Sequence, residues 1–276
     1  MIAIIALLII IYLLTLHEIQ YSNKIKQSIN KGYDVTISRL PDYGSKDDYL
    51  YYFKLLNDLS CIDSAKISLK VKQLGQNKKE QLKNFIDILT YARDKNIFVW
   101  ISSTLLEFAP DEMFFYDYAI SKGFTNIGIT LSTNNPNINR NVDYVLKKRG
   151  HIRLVKGYYY TYLTKNWKKV SELFRINAKK LLNSNNYHVI ATHDFEILTD
   201  LYEQYNLTSN WSNIEFGFFY SSLNFITYMI KKTRIIFPKK SLYIPYGPFL
   251  NYTIDNVPYL DWQHIIMRKI KSLFYL

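Results

Sequence analysis

The chain has only one cysteine, Cys61, among its 276 residues. It therefore forms no internal disulfide and no cysteine-based metal site, and it suits a reducing compartment. The histidines are scattered, with no second histidine or carboxylate at ligand spacing, so the sequence predicts no metal site. It also lacks a Gly-x-Gly-x-x-Gly turn, a phosphate-binding loop and a serine nucleophile elbow, which excludes a nucleotide site of the Rossmann type.

Acidic residues are comparatively few, with 23 Asp and Glu against 35 Lys and Arg and a net charge of +12. The basic excess is spread over short runs at predicted helix ends, such as 147–149 and 179–180, where charge usually marks a solvated surface. Charge alone is a weak sign of nucleic-acid binding, so no nucleic-acid partner is expected. An anionic membrane surface is the better electrostatic partner.

The only long apolar run covers residues 1–16, whose helix would be roughly 24 Å long at about 1.5 Å per residue. It has neither the basic start nor the small-residue cleavage site of a signal peptide. We predict a membrane-anchor helix over residues 1–18, in contact with the lipid bilayer through 1–16, and a basic linker over 19–33. Lys24, Lys26 and Lys31 would keep the rest of the protein on the cytoplasmic side, associated with the membrane. The alternative is a buried N-terminal helix.

From residue 34 to residue 276, short β-branched runs alternate with longer amphipathic stretches, which is typical of a parallel sheet with crossover helices. The predicted strands are 35–40, 66–71, 97–102, 126–131, 152–156, 188–192, 213–218 and 242–245. The predicted helices are 46–59, 78–93, 111–122, 139–148, 167–183, 195–205, 222–232 and 259–273. Eight such units in this length favour one α/β domain, a closed (β/α)8 TIM-type barrel preceded by the hydrophobic helix.

The carboxyl ends of the strands converge on one site in a barrel of this kind. The residues that fall there are Lys70, Ser102, Ser132, Arg153, Lys156, Tyr159, Thr192, His193, Gly217, Tyr243 and Gly247. They are mainly cationic and aromatic. Such a set suits an anionic, phosphate-bearing cofactor and a carboxylate substrate, through charge-assisted hydrogen bonds and stacking.

Several motifs at these strand ends resemble those of one enzyme family in order and spacing, from about residue 35 to residue 270. They are Ile67-Ser-Leu-Lys70, Arg153-Leu-Val-Lys-Gly157 with Tyr159, Ala191-Thr-His193, Ile214-Glu-Phe216, Tyr243-x-Pro-x-Gly247, and Asp261-Trp262 followed by Met267-Arg-Lys269. The chain resembles the proline dehydrogenase family, flavoenzymes built on a modified (β/α)8 barrel. The collinear order of the motifs is more specific than any one of them.

The resemblance implies bound FAD and oxidation of L-proline to Δ1-pyrroline-5-carboxylate, with electrons passed to a membrane quinone. It implies catalytic roles for Arg153, Lys70 and Tyr243, with Arg153 beside the reactive edge of the flavin. Arg153, Lys156, Gly157, Tyr159, Thr192 and His193 would bind the cofactor. Lys70, Tyr243, Arg268 and Lys269 would bind proline, the last two at its carboxylate.

The sequence departs from the family pattern at positions that would face the site. They are Ser102 for an acid, Ser132 and Gly217 for glutamines, Ile265 for a tyrosine and Lys269 for an arginine. These departures leave open a catalytically weak or inactive relative with a binding or regulatory role. A basic membrane- or nucleic-acid-binding protein on an enzyme scaffold is a third reading, which would show a steep salt dependence of binding.

Overall fold

A computed structural model gives the architecture. It describes residues 23–39, 48–63, 65–103, 105–157, 167–205, 211–220 and 223–246. The predicted membrane anchor and the last predicted helix lie outside these residues. Within them, no helix has the length and apolar character that a membrane span requires.

Eight parallel strands form the centre of the molecule. They are β1 (Asp34–Arg39), β2 (Ala65–Leu69), β3 (Phe98–Ile101), β4 (Ile127–Ser132), β5 (His151–Val155), β6 (His188–Ala191), β7 (Ile214–Phe219) and β8 (Lys240–Tyr246). All eight predicted strands are confirmed, each end within two residues of its predicted position. The strands could be located because they are apolar runs buried on both faces, as β2 and β4 are along their whole length.

The sheet closes on itself in sequence order, because β1 pairs with both β2 and β8. The β1–β8 register runs from Asp34 opposite Ser241 to Arg39 opposite Tyr246. Closure leaves no edge strand with unpaired backbone groups. All strands point the same way, so the barrel has a mouth at their carboxyl ends and a floor at their amino ends. The predicted (β/α)8 barrel is confirmed.

Helices follow the first seven strands. They are α2 (Asp48–Leu59), α3 (Lys78–Asp94), α4 (Ala109–Ser121), α5 (Ile138–Lys147), α6 (Trp167–Leu182), α7 (Phe195–Tyr205) and α8 (Leu223–Thr233). A further helix, α1, precedes β1, and its described part covers residues 23–30. In α3, the side chain of Asn77 accepts a hydrogen bond from the Glu80 N–H and so caps the first turn. Phe85, Ile88 and Leu89 are buried and face the core.

The segment predicted to be a basic linker is helical over residues 23–30. Ile25 and Ser28 are buried, whereas Lys26 and Lys31 are exposed. Because residues three apart share one face of a helix, Ile25 and Ser28 pack inward together. This short helix therefore packs against the barrel. The basic residues of the segment gave no indication of that packing.

Candidate active site

Arg153 lies inside the barrel near its mouth. Its Nε donates a hydrogen bond to Thr130 Oγ1 on β4 (2.9 Å), and its Nη2 donates to Ser68 Oγ on β2 (2.7 Å). Because β2 and β5 are not neighbours in the sheet, the side chain crosses the barrel interior. Only 6% of Arg153 is exposed. The barrel therefore holds a buried guanidinium by hydroxyl groups from two other strands.

The charge of Arg153 is incompletely compensated. Its guanidinium carbon lies 5.7 Å from the ring centre of Trp100 and 5.2 Å from that of Tyr243, within range of cation–π attraction. Burial lowers the pKa of Arg153, and the smaller electrostatic effects of Tyr243, Tyr187 and Glu215 act in the opposite direction. Among the described residues Nη1 has no hydrogen-bond partner. The free N–H groups suit a ligand that carries acceptor atoms or negative charge into the barrel.

Lys156 follows β5 and reaches toward the next strand and helix. Its Nζ lies 2.5 Å from Asp194 Oδ2 and donates a longer hydrogen bond to Ser171 Oγ on α6 (3.3 Å). The two charged side chains are 15% and 16% exposed. The predicted cofactor cation is thus already paired with a carboxylate at the mouth.

Gly157 allows the chain to turn sharply after β5. Its φ of +88° is in the region that favours glycine, and a Cβ there would lie 1.9 Å from Ser132 Oγ and 2.6 Å from Asn134 Oδ1. Ser132 in turn donates a 2.5 Å hydrogen bond to Asn134 Oδ1. The backbone at Gly157 therefore packs directly against the side chains of Ser132 and Asn134, and no larger residue fits at 157.

Thr192 and His193 follow β6 and are both buried at the mouth. Thr192 Oγ1 accepts a hydrogen bond from the Asp194 N–H (3.1 Å). His193 Nε2 accepts one from the Phe219 N–H (3.0 Å), and the two rings stack with their centres 5.4 Å apart. His193 therefore ties the end of β6 to the end of β7 in addition to facing the mouth.

Lys70 and Tyr243 are predicted to be catalytic and substrate-binding residues. Lys70 directly follows β2, whereas Tyr243 lies in the middle of β8. The Nζ of Lys70 donates to the Arg39 carbonyl oxygen (2.8 Å), and the residue is 3% exposed. Tyr243 packs edge-on against Phe219 with ring centres 5.5 Å apart. The Tyr243 ring also lies within cation–π range of the Arg153 guanidinium, so this residue faces the same barrel interior as Arg153.

The remaining predicted positions divide into two groups. Ser102 and Ser132 are buried at the ends of β3 and β4, and Gly217 lies on β7 with Val189 and Ala191 packed around it. Tyr159, Gly247, Ile265, Arg268 and Lys269 lie outside the described residues. In the part of the chain that the structure describes, no group of three or more His, Cys, Asp or Glu side chains could hold a metal ion.

Several residues at the site were not singled out from the sequence. Ser68, Thr130 and Trp100 contact Arg153, and Asp194 and Ser171 contact Lys156. A signal was available for the first of these. Lys66, Ser68 and Lys70 alternate in an otherwise apolar strand, and alternation by two places side chains on one face, here the barrel interior.

Solved structures with a similar fold are proline utilization A proteins. The protein from Bdellovibrio bacteriovorus, inactivated by N-propargylglycine, aligns with a TM-score of 0.71 and 17% identity over 83% of this chain and 30% of that one. A proline utilization A with proline bound in remote sites gives 0.65 and 16% over 83% and 29%. The protein from Corynebacterium freiburgense gives 0.64 and 15% over 82% and 28%.

This chain therefore spans less than a third of the length of the solved proteins that it matches. No protein-family model matches its sequence, and no curated protein matches it. At identities of 15 to 17%, the likeness establishes the barrel fold.

Proposed function

We propose that this chain is a flavin-dependent dehydrogenase of the proline dehydrogenase type. It would oxidise L-proline to Δ1-pyrroline-5-carboxylate with FAD as cofactor and pass the electrons to a membrane quinone. The barrel fold shared with proline utilization A proteins supports this proposal, as do the strand-end motifs. The observation that carries it is the buried guanidinium of Arg153, which crosses the interior of that barrel with Nη1 unpartnered among the described residues.

The residues at the mouth fit a flavin in part. An isoalloxazine ring offers carbonyl and ring-nitrogen acceptors, and a buried cation with free N–H groups favours the negative charge that develops when the ring is reduced. FAD, when bound, would supply the acceptor for the hydride that leaves proline, which carries both electrons. On the phosphate side the fit is poorer, because Lys156 is already paired with Asp194.

Each residue has a distinct task in this proposal. Arg153 holds positive charge within the barrel, and the packed turn at Gly157 brings backbone close to the cofactor. Thr192, His193, Lys156 and Tyr159 complete the cofactor contacts. Lys70 and Tyr243 line the substrate pocket. Arg268 and Lys269 bind the proline carboxylate by charge-assisted hydrogen bonds.

The membrane part of the proposal rests on residues 1–16, the apolar run that would place the barrel mouth near a bilayer quinone, with the barrel on the cytoplasmic side. A second candidate function is a barrel that retains the fold but has weak or no activity and serves in binding or regulation. Two observations favour it. The pairing of Lys156 with Asp194 reduces the positive charge offered to a cofactor, and serine or glycine stands at 102, 132 and 217.

The test uses the full chain, purified in detergent and incubated with FAD under anaerobic conditions. Its visible spectrum is recorded before and after L-proline is added, with D-proline as the control. Bleaching of the flavin band by the L isomer alone supports the dehydrogenase. Bound flavin that L-proline does not reduce favours the second candidate, and a protein that binds no flavin refutes the proposed function.

A further inference from the structure

Asp194 is fixed in place by the start of helix α7 as well as by Lys156. Its Oδ1 accepts from the Ile197 N–H (3.4 Å), its carbonyl oxygen accepts from the Leu198 N–H (3.0 Å), and its own N–H donates to Thr192 Oγ1 (3.1 Å). Oδ2, the other carboxylate oxygen, lies on Lys156 Nζ. The carboxylate therefore cannot turn away from Lys156 without also losing its place as the cap of α7.

This arrangement opposes the binding of a phosphate at the same place. Lys156 and the first N–H groups of α7 are the kinds of group that bind phosphate oxygens. Here a fixed carboxylate accepts from Lys156 and from one of those N–H groups, that of Ile197. A phosphate that contacts Lys156 comes close to the negative charge of Asp194, and the mutual repulsion is strong where water is largely excluded.

We propose that Asp194 is a specificity-determining residue that competes with the phosphate groups of the cofactor for Lys156. It lowers the affinity of the barrel mouth for phosphate-bearing ligands and leaves its affinity for an uncharged flavin ring unchanged. This inference rests on the proposed function in so far as FAD is the ligand. Competition for Lys156 by inorganic anions does not depend on it.

The test is the Asp194→Asn variant of the full chain. Asparagine caps a helix as well as aspartate does and still accepts a hydrogen bond from Lys156, so this change removes the charge and keeps the geometry. Dissociation constants are measured by fluorescence titration for FAD and for riboflavin, which lacks phosphates, and by calorimetry for inorganic pyrophosphate. We expect D194N to bind FAD and pyrophosphate about tenfold more tightly, which corresponds to about 1.4 kcal/mol, and riboflavin equally well.

The matched control is Asp143→Asn, which neutralises the carboxylate of an exposed pair with Lys180 (2.6 Å) on the outer face of the helices. D143N should change none of the three constants. If D194N is poorly folded, as judged by its thermal midpoint, Asp194→Ser keeps a capping hydroxyl and takes its place.

The outcomes separate this inference from the proposed function. Equal FAD and pyrophosphate affinities in wild type and D194N overturn the inference, whether or not flavin is reduced by proline. An equal gain for riboflavin also overturns it, because the effect would not involve phosphate. If neither protein binds FAD but D194N gains affinity for pyrophosphate, the flavin function is refuted and the competition for Lys156 is upheld.

Discussion

The two ends of the barrel both hold buried cations, but in opposite circumstances. At the floor, Lys66 Nζ lies 2.9 Å from Asp34 and 2.9 Å from Glu215, and Tyr187 donates a further hydrogen bond to Glu215 (2.7 Å). At the mouth, the described partners of the Arg153 guanidinium are two hydroxyl groups and two aromatic rings. Lys66 is neutralised by two carboxylates, whereas Arg153 has N–H groups on Nη1 without a hydrogen-bond partner among the described residues.

This difference between the two cations indicates that the floor serves stability and the mouth serves ligand binding. Barrel enzymes place their chemistry at the carboxyl ends of the strands, and polar groups at the amino ends serve the fold. Paired charges at the floor are therefore expected to lose stability when one partner is removed. A cation at the mouth, whose burial is poorly compensated in the protein alone, is expected to contribute to ligand binding and little to stability.

The largest expected effect follows from the change Lys66→Met. It leaves Glu215, which is fully buried, with the Tyr187 hydroxyl as its described hydrogen-bond donor. Removing one partner of a buried ion pair costs about 3 to 5 kcal/mol. Urea unfolding should show this loss in the free energy of unfolding.

Two controls sharpen that result. Lys180→Met breaks an exposed pair with Asp143 and should cost about 1 kcal/mol or less. The double change Lys66→Met with Glu215→Met replaces the pair by apolar side chains and should recover most of the loss. A Lys66→Met protein as stable as the Lys180→Met protein would show that the floor network does not stabilise the barrel.

The next effect compares two glycines with similar backbones. Gly157 at the mouth has φ +88° and Gly123, beyond the end of α4, has φ +81°, but a Cβ at 157 meets Ser132 at 1.9 Å whereas one at 123 meets nothing within 4 Å. Gly157→Ala should cost about 2 to 3 kcal/mol, since it adds a steric clash to the backbone strain, and Gly123→Ala about 1 kcal/mol. Thermal denaturation measures both. Equal losses would mean that the turn at 157 yields without disturbing Ser132.

A third effect depends on pH and belongs to the floor end of the strands. Burial, and secondly the nearby charge of His151, lowers the pKa of His188 from its ordinary 6.5 to about 3, so the folded protein holds this ring neutral. The unfolded chain takes up the proton first. His188 therefore contributes stability that is complete above pH 6.5 and is lost as the pH falls from 6.5 toward 3, by about 1.4 kcal/mol per unit.

By this reasoning the free energy of unfolding should fall by about 2 kcal/mol between pH 6.5 and pH 5. The measurement is the free energy of unfolding between pH 7.5 and pH 5, in wild type and in His188→Gln. The variant should show a shallower decline with falling pH. Parallel curves would assign the acid sensitivity to other groups, such as His151, whose pKa burial also lowers.

The fold was readable from the sequence because its signals are local. An apolar run of four to seven residues between amphipathic stretches locates each strand, and eight repeats of the unit favour closure. The convergence of the strand ends then predicts that Arg153, Lys156, Thr192 and Tyr243 face one site.

The ion pairs could not be predicted from the sequence, because they depend on which residues the closed sheet and its loops bring together. Lys66 and Glu215 are 149 residues apart, and nothing in either strand's own sequence says that they meet. Asp194 was visible next to Thr192 and His193, but its contact with Lys156 depends on how the loop after β6 enters α7. The sequence alone therefore gives no indication that Lys156 is paired.

The smallest expected change in stability comes from Arg153→Met, the same replacement of a long cation by methionine as at Lys66. Burial of the guanidinium costs free energy, as its lowered pKa shows, and two hydrogen bonds to hydroxyls offset about that amount. We expect the free energy of unfolding to change by less than about 1 kcal/mol, while FAD affinity is largely lost. Urea unfolding and a flavin titration on the same preparation test both halves. If Arg153→Met is as destabilising as Lys66→Met, the mouth cation is part of the structural framework, and the division between a stabilising floor and a binding mouth does not hold.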